Sequence, residues 1–562
     1  MHHFDNKRLP VSIAYGLILM ETDRVLRACI STYMQIISIQ MRSIQMVSMN
    51  PPDPVMRHVD KAPEVDVAII GTGFAGLGAA IRLMQEDMTD FVVFERADEV
   101  GGVWRENHYP GCACDTASHL YSFSFAPKAD WSRRFAGRDE IFAYLKQCAT
   151  QFGVRPRIRF GHAVRQAVWS EDSLRWHIET SEGTCTARAL ICGVGAHSQP
   201  RIPDLPGHER FKGDAFHSSN WPEGFDPTGR RVAVVGTGAS AVQLVPALQP
   251  HVEHLTLFQR TPAWVVPHGD REIASAVHDL FRRVPMLLQV WRFVLHHLRE
   301  ASGWLFWDRR VARLVEPFVR YWMRSQISDP NLREMLIPNY ALGCKRILHS
   351  DTYLAALSEP NVTVVSGAAR KVHPRGVSGP VGPHNAEVIV YCTGFESTTM
   401  PFSRSIYGRD GQALSTTWGD SPRAHLGTTV AGYPNLFLLR GPNTGLGHNS
   451  ILPMIEAQIE HILGALRYMN ATGTAAVEPR AAAQARFVRQ VDRWSKGTVW
   501  TDGGCRSWYL DATGRNAVLW PRSVAAFRRR VTDFDPSEYA TLHPATAERT
   551  VAGSTEQTAR CP

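Results

Sequence analysis

Two stretches of the chain repeat one order of apolar and polar positions. Residues 65–70 form a short, mostly apolar run that breaks into Gly71-Thr72-Gly73-Phe74-Ala75-Gly76. A helical segment follows at 77–84, and a second apolar run, 91–94, ends in Glu95. The order returns at 232–235, with the turn Gly236-Thr237-Gly238-Ala239-Ser240-Ala241, a helix opening at 242–248 and an apolar run at 255–258. This second copy ends in Gln259-Arg260-Thr261 rather than in an acid. Short apolar runs bounded by glycines read as buried strands, and the periodic segments behind them as helices. The strand–turn–helix–strand order predicts an α/β fold with two Rossmann-like dinucleotide-binding domains.

Residues 278–324 follow another pattern. They are strongly helical, with Trp291, Phe293, Trp304, Phe306, Trp307, Phe318, Tyr321 and Trp322 set among Arg and His. No uninterrupted apolar run there has membrane-spanning length. Such spacing marks a helical insertion packing a small core of its own more often than a membrane or substrate surface, with a part in substrate access and a peripheral membrane contact left open. Residues 11–20 are apolar but too short to span a bilayer. Lys7 and Arg8 precede them as in a secretion signal, yet Glu21-Thr22-Asp23-Arg24 stands where a small-residue cleavage site belongs. Residues 1–62 are expected to be a poorly ordered, dispensable extension, with Met49 or Met56 as alternative starts. The Thr/Ala/Ser/Arg-rich residues 542–562 are expected to be a disordered tail.

Composition narrows the partners. With 562 residues, 44% hydrophobic and 20% charged, the chain is globular in type and too long for one core. A formal charge of +8 suits anionic ligands such as dinucleotide phosphates. Nucleic acid or an anionic membrane surface would fit that balance too. The arginines, however, sit in short clusters such as Arg282-Arg283 and Arg528-Arg529-Arg530, usual on solvated helix faces, and no nucleic-acid-binding pattern accompanies them. The 10 cysteines form no CxxC, so reduced thiols in a cytoplasmic protein are expected, with a redox pair at Cys112 and Cys114 as the alternative to two unrelated thiols. No metal site is expected.

The turns carry the chemistry. Gly71 permits a tight turn, Gly73 lets a pyrophosphate approach the backbone, and Gly76 lets helix and strand pack closely. Phe74 and Ala75 open the helix whose unpaired N–H groups and dipole face the phosphates. Glu95 is placed to accept hydrogen bonds from ribose hydroxyls; the alternative is a plain glycine turn. In the second unit Gly236, Gly238, Ala239 and Ser240 repeat the cradle. There a carboxylate would repel a 2′-phosphate, whereas Arg260 and Thr261 would hold it, unless Arg260 merely caps a sheet edge. One acidic and one basic unit imply FAD and NADPH. The predicted domains are the first part of the FAD domain at 63–200, the NADPH domain at 201–390 with its insertion at 278–324, and the second part of the FAD domain at 391–541.

Two longer patterns complete the reading. Gly101-Gly102-Val103-Trp104 leads to Tyr109-Pro110-Gly111 and Asp115, and Phe211, Gly213, His217 and Trp221-Pro222 recur between the two units. Together they match, without a miss, the signatures [A/G]GxWxxxx[F/Y]P[G/M]xxxD and FxGxxxHxxxW[P/D]. Over about residues 66–530 the chain resembles the type I Baeyer–Villiger monooxygenases. Gly343-Cys344-Lys345-Arg346, Gly441-Pro442-Asn443-Thr444 and Ser507-Trp508-Tyr509 are similar to the 4-hydroxyacetophenone monooxygenase subgroup. Glu387, where that family usually has Asp, and Cys112, where Ala is expected, depart from the pattern.

The resemblance implies a ketone substrate and O2, giving an ester or lactone through a C4a-peroxyflavin. It implies Arg346 as the catalytic arginine and Asp115 as the carboxylate orienting it. Lys345 would join Arg260 and Thr261 at the 2′-phosphate, and Trp508 would touch the nicotinamide half. Gly102, Trp104, Tyr109, Asp115 and Tyr121 would be cofactor-binding, and His217 would be a conformational element at the domain junction, not a proton shuttle. The oligomeric state, monomer or homo-oligomer, stays open. So do two alternatives: an S- or N-oxygenating monooxygenase, which carries Tyr or Phe in place of Trp221, and an uncoupled NADPH oxidase or flavin reductase. The lack of CxxC speaks against a disulfide relay.

Overall fold

The computed structural model describes residues 63–543, which belong to one compact unit beginning at Lys61. The N-terminal extension and the tail beyond His543 lie outside the described residues. The chain opens with β1 (Glu64–Ile70), α1 (Phe74–Gln85), β2 (Phe91–Phe94) and β3 (Ile158–Arg159). A meander of β4 (Val164–Ser170), β5 (Arg175–Thr180) and β6 (Gly183–Cys192) follows. Strands β6, β1, β2 and β3 run parallel, and Ile70 lies in register with both Phe94 and Cys192. That register brings the carboxyl ends of three strands to one rim, where ligands of such sheets bind.

The chain then crosses to a second sheet. It comprises β7 (Asp214–His217), β8 (Arg231–Val235), β9 (His254–Gln259), β10 (Val362–Ser366) and β11 (Val388–Tyr391), with α2 (Ala239–Leu248) after β8. The order is β10-β9-β8-β11-β7, all parallel. Strands buried on both faces need apolar residues throughout, as in Val232–Val235 and Val388–Tyr391, hence runs without alternation. Within this half lie α3 (Ser275–Arg283), α4 (Pro285–Ser302), α5 (Trp304–Trp307) and α6 (Arg309–Ser325). The chain returns through β12 (Ile406–Tyr407) beside β4, β13 (Leu436–Leu438) beside β6, and α7 (Leu452–Thr472) against α1. Two parallel-sheet units, the first interrupted by the second, make up the two-domain dinucleotide-binding fold.

Three expectations change. The insertion has no core of its own: Phe306 and Ala312 pack with Val499, Trp500 and Tyr509, and Met323 joins the core of the second sheet. Many of its remaining large apolar side chains face outward. Leu542, assigned to the tail, ends the strand Tyr539–Leu542 paired with Ala476–Pro479. Cys344 and Cys505, expected as thiols, form a disulfide across 161 residues of sequence. The Cys344 segment backs onto Gly503, whose carbonyl accepts the Ala341 amide at 3.2 Å, and no local spacing reveals that contact. The other described cysteines are free thiols.

Candidate active site

The glycines of the first turn are used as steric exceptions. Gly71 has φ +93°, and a Cβ on Gly76 would stand 1.9 Å from the Gly71 carbonyl oxygen. Across the turn, a Cβ on Gly102 would come within 3.0 Å of the Gly73 Cα, so the two backbones frame a side-chain-free cradle. Helix α1 begins at Gly73 with no side chain capping its amides, which suits a pyrophosphate. Phe74 packs beneath, its ring 5.0 Å from Tyr121, whose hydroxyl accepts the Trp104 indole N–H at 3.2 Å. Glu95 ends β2 inside this rim, buried, accepting from the Thr72 amide (3.0 Å) and hydroxyl (2.6 Å). These residues fit FAD by shape and donor chemistry.

The second turn repeats the logic. Gly236 has φ +117°, and a Cβ there would meet the Cys392 carbonyl oxygen at 2.3 Å. A Cβ at Gly238 would meet nothing within 4 Å, so the rim of α2 is open toward a ligand. Ala239 and Ser240 open the helix, and the Thr237 hydroxyl donates to the Thr261 carbonyl at 2.8 Å. Arg260 is exposed just past β9, and Lys345 lies within electrostatic reach of it. Burial first, and then the Arg260 charge, lower the Lys345 ammonium from its ordinary value. Two cations within each other's field suit a doubly charged anion, the chemistry of a 2′-phosphate.

The two halves meet at Asp115 and Arg346. Arg346 donates from Nη2 (2.6 Å) and Nε (3.1 Å) to the same Asp115 oxygen. Burial would raise the Asp115 carboxyl, but the Arg346 guanidinium, helped by His349, holds it below the usual carboxylate range. Arg346 is raised above its ordinary value, first by the Asp115 charge. Both groups therefore stay charged. Tyr109, from the same segment as Asp115, donates its hydroxyl to Gln243 of α2 at 2.9 Å, and the Gln243 amide donates to the Ala113 carbonyl at 2.9 Å. A Cβ on Gly111 would strike the Gln243 carbonyl at 2.7 Å. The segment carrying Asp115 is thus clamped to the second unit.

Several neighbours escaped the sequence reading. Gln243 is the lone amide in a helix that is apolar past Ser240, which is a usable signal. Arg440 follows β13 at the carboxyl end of a buried strand, another. Burial, then the charges of Arg440 and Arg346, push His197 down to about 3. Tyr509 lies within electrostatic reach of Arg346. Trp508, which the sequence singles out, is 37% exposed and stands at the rim with its ring 4.5 Å from Tyr509 and 5.8 Å from His197.

Phe211, Gly213 and Trp221 do not join the site. Phe211 packs against the core of the second sheet, Trp221 is buried among Phe216 and Phe225, and a Cβ on Gly213 would meet the Glu387 carbonyl at 2.1 Å. His217 alone reaches toward the site, through Phe395 at 5.3 Å, which lies 5.3 Å from His197. Burial lowers His217 to about 4, so its ring is neutral near pH 7. Beside it the two crossings between sheets run together, with Arg201 N–H donating to Gly394 O at 2.9 Å and Glu396 N–H to Gln199 O at 3.0 Å.

The flavin-binding monooxygenase-like family matches residues 64–283. A Baeyer–Villiger monooxygenase of Streptomyces coelicolor is 47% identical over 87% of this chain and 95% of its own. The cyclohexanone monooxygenase of a Rhodococcus species, solved with NADP+, superposes with a TM-score of 0.78 at 28% identity, covering 86% of this chain and all of the other. The protein OTEMO, solved in complex with FAD and NADP, gives the same TM-score, identity and coverage.

Proposed function

This chain belongs to the Baeyer–Villiger monooxygenases, FAD- and NADPH-dependent oxidoreductases, and from that premise we propose that it oxidises a ketone, with Arg346 as the catalytic cation. The overall change is ketone + O2 + NADPH + H+ giving ester or lactone + NADP+ + H2O. FAD supplies hydride acceptance from NADPH and the activation of O2. The residues supply the rest. Gly71, Gly73, Gly76 and Gly102 admit the flavin pyrophosphate, with Glu95 at the ribose. Gly236, Gly238, Ala239 and Ser240 receive the NADPH phosphates, with Arg260, Thr261 and Lys345 at the 2′-phosphate.

The observation that carries the reading is the bond pair from Arg346 to one Asp115 oxygen. It runs through Nε and Nη2, so the plane of the guanidinium is fixed while Nη1 stays outside the pair. A fixed cation favours a negatively charged oxygen nucleophile over its protonated, electrophilic form, and then stabilises the oxyanion formed at the carbonyl. Trp508, at the rim, is suited to close over the nicotinamide. The test is product analysis with NADPH, O2 and a panel of aryl methyl and cyclic ketones alongside thioethers. Ester or lactone is the expected product; sulfoxide alone, or peroxide with every substrate, overturns the reading.

A further inference from the structure

The helical insertion presents a surface that the oxygenation chemistry does not use. Of the exposed large apolar side chains among the described residues, all but Ile202, Val381 and Trp508 lie between Leu280 and Tyr321. They are ordered into stripes. On α6, Leu314, Phe318 and Tyr321 recur at helical spacing and are 73%, 75% and 77% exposed. On α4, Leu287, Val290, Trp291 and Leu298 do the same. Scattered exposed apolar residues need no explanation, but stripes on two helices of one insertion do.

A second, independent feature sits beside them. An open cavity of about 920 Å³ is lined by Trp304, Trp307, Arg309, Arg310, Arg313 and Arg522, with Glu300, Asp308 and Asp502 at its edge. None of those four arginines forms an ion pair among the described residues, and Arg309 Nε is buried without a partner. Arg282 and Arg320 nearby, by contrast, are paired with acids. Guanidinium groups without an acid partner, of which Arg522 stacks on the Trp494 ring at 5.4 Å, flank an apolar, aromatic stripe and complement a surface with anionic headgroups above hydrocarbon.

We propose that α4–α6 form a docking face for an anionic phospholipid bilayer, with Leu314, Phe318 and Tyr321 inserted among acyl chains and Arg309, Arg310, Arg313 and Arg522 at the headgroups. The contact is peripheral: among the described residues no helix is long and apolar enough to cross a membrane. It would place an enzyme of the proposed kind where apolar ketones partition.

The test is sedimentation of the full-length holoprotein with vesicles of phosphatidylcholine alone or mixed with phosphatidylglycerol. Binding to the anionic vesicles only is expected, weakened by added salt and reduced about tenfold or more in Leu314→Ser/Phe318→Ser/Tyr321→Ser and in Arg310→Glu/Arg313→Glu. These side chains are exposed, so the variants should keep the circular dichroism spectrum and NADPH turnover in vesicle-free buffer. No binding to anionic vesicles, or equal binding by the variants, overturns the proposal. So does light scattering that finds a vesicle-free dimer which the triple serine variant converts to monomer, since the face would then belong to a second copy of the chain.

Discussion

Arg346 illustrates what a single side chain contributes here. A guanidinium keeps its charge under burial where an ammonium does not, and Asp115 raises Arg346 further. Lys345, one residue away, is moved in the opposite direction by burial and by Arg260. On the proposed roles, Arg346→Ala should leave NADPH-driven flavin reduction intact and lower oxygenation by about 10²–10³, the scale of a lost oxyanion donor. Stopped-flow reduction measured alongside product formation checks this; equal loss in both half-reactions removes the role. Lys345→Ala should weaken NADPH by roughly 1.5–3 kcal/mol, as for a charged hydrogen bond, and leave NADH nearly unchanged. Comparing KM for the two coenzymes decides it. Both residues were legible in sequence only through the family pattern. By residue type alone Arg346 reads as any structural arginine, because its meaning lies in Asp115, far away along the chain.

At the scale of elements, the strand–turn–helix units were readable because their constraints are local. Gly76 is a case in point: an added Cβ would lie 1.9 Å from the Gly71 carbonyl oxygen, which leaves no room for alanine. Gly76→Ala should therefore yield protein depleted in FAD, read from the flavin absorbance per polypeptide, with the strand shifted or the helix displaced. The insertion was legible as helix but not as surface, since periodicity reports an apolar face and not what covers it. The Cys344–Cys505 link was not legible at all. It joins the segment bearing Lys345 and Arg346 to the one bearing Trp508. Non-reducing peptide mapping should recover the cross-linked pair, and Cys505→Ser should cost about 2–4 kcal/mol of stability, the usual range for a disulfide.

The whole molecule carries a pH dependence that no one element shows. His119, His217, His425 and His461 are buried, and burial lowers each from 6.5 to about 4. Between those values the unfolded chain binds protons that the folded chain refuses, so stability falls as pH falls from 6.5 toward 4. Each such histidine contributes up to about 1.4 kcal/mol per pH unit in that window. Denaturation midpoints at pH 7, 6 and 5 should drop progressively more steeply than one titrating group allows; a flat profile would mean that these rings protonate in place. The assembly of the site is likewise a property of the whole. The second sheet sits inside the sequence of the first, and Gln243 ties the Asp115 segment to it.

Patterns confined to a few neighbouring residues were settled by the sequence: the apolar runs, the glycines that a Cβ would spoil, the acid or base ending each second strand. Their physics acts over one turn or one strand, so spacing alone records it. Contacts between distant segments were decided by the fold, among them Arg346 on Asp115, Cys344 bonded to Cys505 and His197 between Trp508 and Phe395. So was the outward turn of Leu314, Phe318 and Tyr321. An apolar stripe is the same string of letters whether it faces a core or open space, and only packing tells the two apart.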